Sequence, residues 1–82
     1  MIATTDAVLA AIASLTGTLD ERAATLAATG MSSSAYLCLS DARTLLEKGE
    51  VEAAADNAVR ASRYVWGILS PKHVEICKSL GR

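Results

Sequence analysis

His73 and Cys77 stand four residues apart, a spacing that brings two side chains onto one face of a helix and would suit two ligands of a zinc ion. Cys38 is the remaining thiol, and the set Cys38, His73 and Cys77 defines one functional reading, a small metal-binding regulator. The same His–Cys pair is a nucleophile beside a base, but the sequence identifies no orienting acid and no oxyanion donor for it. A second group is cationic. Arg60, Arg63 and Tyr64 project from adjacent turns, and Lys72 and His73 follow just after a bend. Guanidinium groups grip phosphate bidentately and a tyrosine ring stacks on a base, so Arg60, Arg63, Lys72 and His73 form a candidate anion or nucleic-acid site. A third group is apolar: Trp66 falls one residue off its helix's seam, and Tyr36 and Leu37 lie off the main face of theirs. With Tyr64 they are candidate anchors of a protein interface, where Trp in particular buries much area at low entropic cost. No catalytic constellation, complete metal-ligand set or phosphate-binding loop is found, so neither enzymatic activity nor a cofactor is expected.

The element that must position these groups is a helical hairpin from Ser34 to Leu69, folded back at Lys48-Gly49-Glu50. Ala35, Cys38, Leu39, Ala42, Leu45 and Leu46 recur at steps of three and four and predict the buried face of the first arm. Ser32, Ser33 and Ser34 are its candidate N-caps, and Gly49 is suited to the left-handed residue that ends it. In the second arm Val51, Ala55, Ala58, Ser62, Val65 and Leu69 form the seam, with Glu52, Asp56, Asn57, Arg60 and Arg63 opposite. Ahead of the hairpin, Val8, Ile12, Leu15, Leu19, Ala23 and Leu26 make one stripe, capped by Thr4, Thr5 or Asp6. The stripe passes through Gly17, where Thr18 and Glu21 form a competing capping box. One helix from about Asp6 to Ala28 is favoured, because packing outweighs a mid-helix glycine's cost of ~1 kcal/mol. Thr29-Gly30-Met31 and the serines make the loop into the hairpin. Ser70-Pro71 restarts the chain as a last helix, with Val74, Cys77 and Leu80 docking beside Ile76 and Lys72, Glu75 and Lys78 outside. The expected fold is all-α, a small antiparallel four-helix bundle in one domain spanning residues 1–82.

Composition bounds the partners. A domain of 82 residues buries only about 60 to 65 per cent of its unfolded surface, and its alanine-rich apolar content adds little burial per residue. Self-association would supply the missing core. A hydrophobic content of 51%, charged residues at 21% and a net charge of −1 are globular values. The charge is segregated: eight acids face three bases up to Asp56, and five bases face one acid beyond it. That asymmetry can hold two copies together or present a basic end to an anion. Two cysteines make no disulfide framework, and Asp6 with no preceding Lys or Arg argues against a secretory reading of Ala7 to Leu15. A cytoplasmic protein without a membrane span is expected.

The run Ala42-Arg43-Thr44-Leu45-Leu46-Glu47-Lys48-Gly49-Glu50-Val51-Glu52-Ala53-Ala54-Ala55, continued by Ala58 and Ala61, resembles the central hairpin of HEPN-type helical domains. That family is built of four or five helices, commonly dimerises, and includes RNA-cleaving toxins and nucleotide-binding partners of nucleotidyltransferases. Its ribonucleases carry an Arg followed a few residues later by His. Here the single His73 lies beyond Ser70-Pro71 from Arg63, so the resemblance implies binding of nucleotide or RNA without cleavage. The leading expectation is a non-enzymatic helical module that forms a homodimer and binds a protein partner. HEPN-like binding of nucleic acid is the alternative, and the metal-binding regulator is a third.

Overall fold

The Thr4 hydroxyl accepts from the Ala7 amide at 3.1 Å, capping a helix with no break at Gly17. In the computed structural model, which describes residues 3–82, the four helices are α1 (Thr5–Ala27), α2 (Met31–Glu47), α3 (Val51–Trp66) and α4 (Pro71–Ser79). No strand occurs among the described residues. The capping box at Thr18 is not used, because Val8, Ile12, Leu15, Leu19 and Leu26 are all buried along one unbroken face.

The α1–α2 turn is tighter than the serines suggest. Leu26 O accepts from the Thr29 amide at 3.0 Å and from its hydroxyl at 2.8 Å, and the chain re-enters a helix directly after Gly30. Ser32, Ser33 and Ser34 therefore lie inside the first turn of α2 and none caps it. The next turn follows the sequence closely. Gly49 (φ 80) donates to Leu46 O at 3.0 Å and Glu50 to Leu45 O at 2.9 Å, a Schellman ending that satisfies the last carbonyls of α2 and turns the chain into α3.

On α3, Ala54, Ala55, Ala58 and Ala61 are completely buried. Their small side chains let neighbouring helices approach closely, and the α2–α3 contact is the most extensive in the molecule. Two cross-links tie α1 to α2: Tyr36 Oη donates to Asp20 Oδ1 at 2.6 Å, and Arg43 Nη2 to Thr16 Oγ1 at 2.8 Å. Residue numbers thus rise along α1 as they fall along α2.

The seam of α3 stops short of Leu69. Gly67, at φ 87 and ψ 150, lies in a region essentially reserved for glycine, and its amide closes the helix on Arg63 O at 2.9 Å. Ser70 caps α4 and Pro71 takes its first position, as expected. The buried face of α4 is rotated from the expected one: His73 and Leu80 are buried while Val74 is 42% exposed. A helix of nine residues is too short for periodicity to separate faces one residue apart, and Ser62 on α3 supplies the polar partner that a buried imidazole needs. Arg82 then fastens the end of α4 to the start of α3, contacting Glu52 at 3.2 Å and Asp56 at 2.8 Å.

The Cα radius of gyration, 11.6 Å, is close to the roughly 11.7 Å expected of a compact domain of this length. The accessible surface of 4713 Å² matches the about 4,650 Å² expected of a folded monomer of this mass. No helix among the described residues is long and apolar enough to cross a membrane.

Candidate functional site

The cationic group does not assemble as one patch. Arg60, Arg63 and Tyr64, on successive turns of α3, line a surface cavity of about 230 Å³. Lys72 is turned elsewhere: its Nζ lies 4.4 Å from the centre of the Trp66 ring, within cation–π range. His73 is withdrawn altogether. It is 4% exposed, with Nδ1 at 2.9 Å from Ser62 Oγ, because its position on α4 faces the core. Of the four candidate anion ligands, only Arg60 and Arg63 share a surface.

Trp66 stands at the last turn of α3, half-buried against the core. Lys72 and Arg22 both approach its ring, Arg22 at 4.9 Å, and Arg22 Nη1 also donates to Val65 O at 2.8 Å. With Ser14, Thr18, Glu75 and Ile76 it lines a cavity of about 250 Å³ between α1 and α4. Trp66 thus forms part of the rim of the monomer's own core. Tyr36, Leu37 and Tyr64 are exposed, as an interface reading requires. Tyr36 is already engaged, and its hydrogen bond to Asp20, helped by burial and the carboxylate charge, holds its phenol above the ordinary tyrosine value.

The Gly67–Ser70 turn is the apolar feature missed in the sequence. The Ser70 amide donates to Gly67 O at 3.2 Å, closing a four-residue turn whose central residues are Ile68 and Leu69. Turn centres favour Gly, Pro, Asn, Asp and Ser; here Ile68 is 62% and Leu69 92% exposed. The signal was present in Gly67 and Ser70-Pro71, which bracket the turn, but Leu69 falls four residues after Val65 and so extends the helical period. A second apolar feature lies at the other end. Thr5, Leu9 and Ile12 of α1 and Arg43, Leu46 and Glu47 of α2 line an open groove of about 380 Å³. α3 begins beside this end, where Glu52 Oε2 accepts from the Ala3 amide at 3.1 Å. Its sixteen residues, at 1.5 Å each, carry the chain roughly 24 Å to the turn.

The thiols differ in setting. Cys77 Sγ is 3.5 Å from His73 Nε2, so the expected pair does meet. Cys38 is a free, half-buried thiol on α2; burial pushes its pKa up, against the nearby charge of Arg60 and with that of Asp41. No group of three His, Cys, Asp or Glu side chains suited to a metal occurs among the described residues, so Cys38 does not complete a site with His73 and Cys77.

Compared with protein-family models, curated proteins and solved structures, the chain matches none.

Proposed function

We propose that the protein is a helical interaction module that associates with a second copy of itself rather than catalysing a reaction. The observation that carries this reading is the Gly67–Ser70 turn, which holds two large aliphatic side chains in water on a backbone fixed by Gly67 and by the capped start of α4. Burying them is worth about 1.5–3 kcal/mol each, and a tight turn presents them with little ordering cost left. The occupant is argued from the rest of the surface. The apolar groove of Leu9, Ile12 and Leu46 carries one base and one acid on its lip, Arg43 and Glu47, so it offers the turn an apolar seat with no net charge against it. Two copies side by side in opposite directions bring each turn toward the other's groove, a closed two-fold arrangement that buries apolar surface twice.

Light scattering on the purified chain, at low and high salt and with absorbance at 260 nm on the same peak, tests the reading. The expected species has twice the 8.5 kDa chain mass, carries no nucleic acid and persists in salt. A monomer at all concentrations overturns it.

One observation favours a second reading. Both salt bridges among the described residues belong to Arg82, which leaves Arg60 and Arg63 free beside Tyr64 at the α3 cavity. Those residues suit a phosphate and a stacked base, the HEPN-like nucleotide or RNA binder. A 260 nm-absorbing peak that dissociates steeply with salt would place that reading first.

A further inference from the structure

We propose that Cys77 is a reactive thiol, activated by His73 and Ser62, that undergoes exchange with small-molecule disulfides. Ser62 Oγ lies 2.9 Å from His73 Nδ1, and His73 Nε2 lies 3.5 Å from Cys77 Sγ. Nucleophile, base and orienting group therefore stand in line, the arrangement by which a thiol is activated. Ser62 is 0% exposed and His73 4%, so the imidazole is held by a fixed hydroxyl inside the protein, whereas the thiol is only partly covered. We assign the imidazole proton to Nδ1, the tautomer in which Ser62 Oγ accepts and the lone pair of Nε2 faces the sulfur. Two helices build the set: α3 supplies the hydroxyl, and one turn of α4 supplies both base and nucleophile.

The chemistry balances without a further reactant. The thiol proton moves from Sγ to Nε2, and the thiolate attacks one sulfur of a disulfide R–S–S–R. The S–S bond breaks as the Cys77–S–S–R bond forms, and the departing thiolate takes the proton from His73 to leave as R–SH. Cys77 is oxidised and half of the disulfide is reduced. Exchange at sulfur passes through no oxyanion, so thiol, base and orienting hydroxyl suffice for it; acyl transfer would require oxyanion donors in addition.

Cys38 is an internal reference in the same molecule, a thiol whose reactivity burial suppresses. The experiment follows mixed-disulfide formation with oxidised glutathione by peptide-resolved mass spectrometry, in mildly acidic buffer where an unassisted thiol is almost fully protonated. Rates at both cysteines are measured on the intact chain, native and in concentrated urea. Native Cys77 is expected to react about tenfold or more faster than the same thiol in urea, while native Cys38 reacts more slowly than in urea. His73→Gln keeps an amide able to bond to Ser62 but cannot take the proton; it should abolish the Cys77 advantage and leave the Cys38 rate and the melting temperature near those of the parent. A native Cys77 rate no greater than its rate in urea overturns the proposal, as does an unchanged rate in a folded His73→Gln chain. The comparison within the parent chain stands even where the variant does not fold.

Discussion

Replacing Leu69 by Ser separates folding from association, because its side chain contributes to one and almost nothing to the other. At 92% exposed it touches little of its own chain, and its backbone sits in a turn that Ser adopts readily. The stability of the isolated monomer should therefore change by no more than about 0.5 kcal/mol, the usual range for surface substitutions. In the paired arrangement the same side chain enters an apolar groove, and its loss removes about 2 kcal/mol of transfer free energy. That corresponds to a roughly 30-fold weaker dissociation constant per affected contact. Because a two-fold pair makes the contact twice, the effect on the dimer should reach several hundredfold or more. Sedimentation equilibrium over a range of loading concentrations reads the association constant, and urea unfolding at the lowest concentration reads the monomer. A variant that associates as strongly as the parent refutes the assignment of the turn as the contact. A fall of more than about 1 kcal/mol in monomer stability refutes the claim that the turn is independent of the core.

Gly67→Ala should cost about 1–3 kcal/mol in urea unfolding from backbone strain alone, since an added Cβ meets nothing within 4 Å at a φ of +87. Arg22→Ala removes both the donor to Val65 O at 2.8 Å and a cation 4.9 Å from the Trp66 ring; a loss of about 1–3 kcal/mol is expected, with a red shift of tryptophan emission as the ring is uncovered. Tyr36 should release its proton above the ordinary value of 10.0, first because its phenol donates to Asp20. The stability this contact adds is complete below the phenol's unfolded pKa and is lost as pH rises through the folded one. Asp20→Asn should shift the onset of phenolate absorbance to lower pH, and an onset that does not move would contradict the assigned cause.

The parts of the fold that were legible are those set by local chemistry. Gly49 announces its own left-handed turn, Ser70-Pro71 its own helix start, and the stripe from Val8 to Leu26 outweighs Gly17 because five buried side chains share that face. What escaped depends on residues distant in sequence or on where a helix ends. Leu69 continues the period of Val65, and it is turned into solvent because α3 ends at Gly67 and the Ser70 cap closes the turn. The pairing of His73 with Ser62 spans two helices, and reading α4 by itself ties His73 only to Cys77. A signal for it existed. Ser62 occupies a seam position among alanines and Val65, where a buried hydroxyl must find a partner, and the chain holds one histidine to provide it.

Small size led to the expectation that a second copy completes the core, and the structure separates that motive from the surface that would serve it. The monomer exposes close to the area its mass predicts, and buried side chains of α1, α2 and α3 form one cluster with Leu80, against which Ile76 of α4 packs. No buried side-chain nitrogen or oxygen among the described residues lacks a hydrogen-bond partner. Association is thus not needed to repair a deficient fold. The exposed apolar turn imposes a solvation cost that the fold itself does not require, because Gly67 and the Ser70 cap would close the same turn around two polar residues. Ile68 and Leu69 are consequently the positions at which sequence and folding stability part company, which is why the proposed contact between copies is placed there.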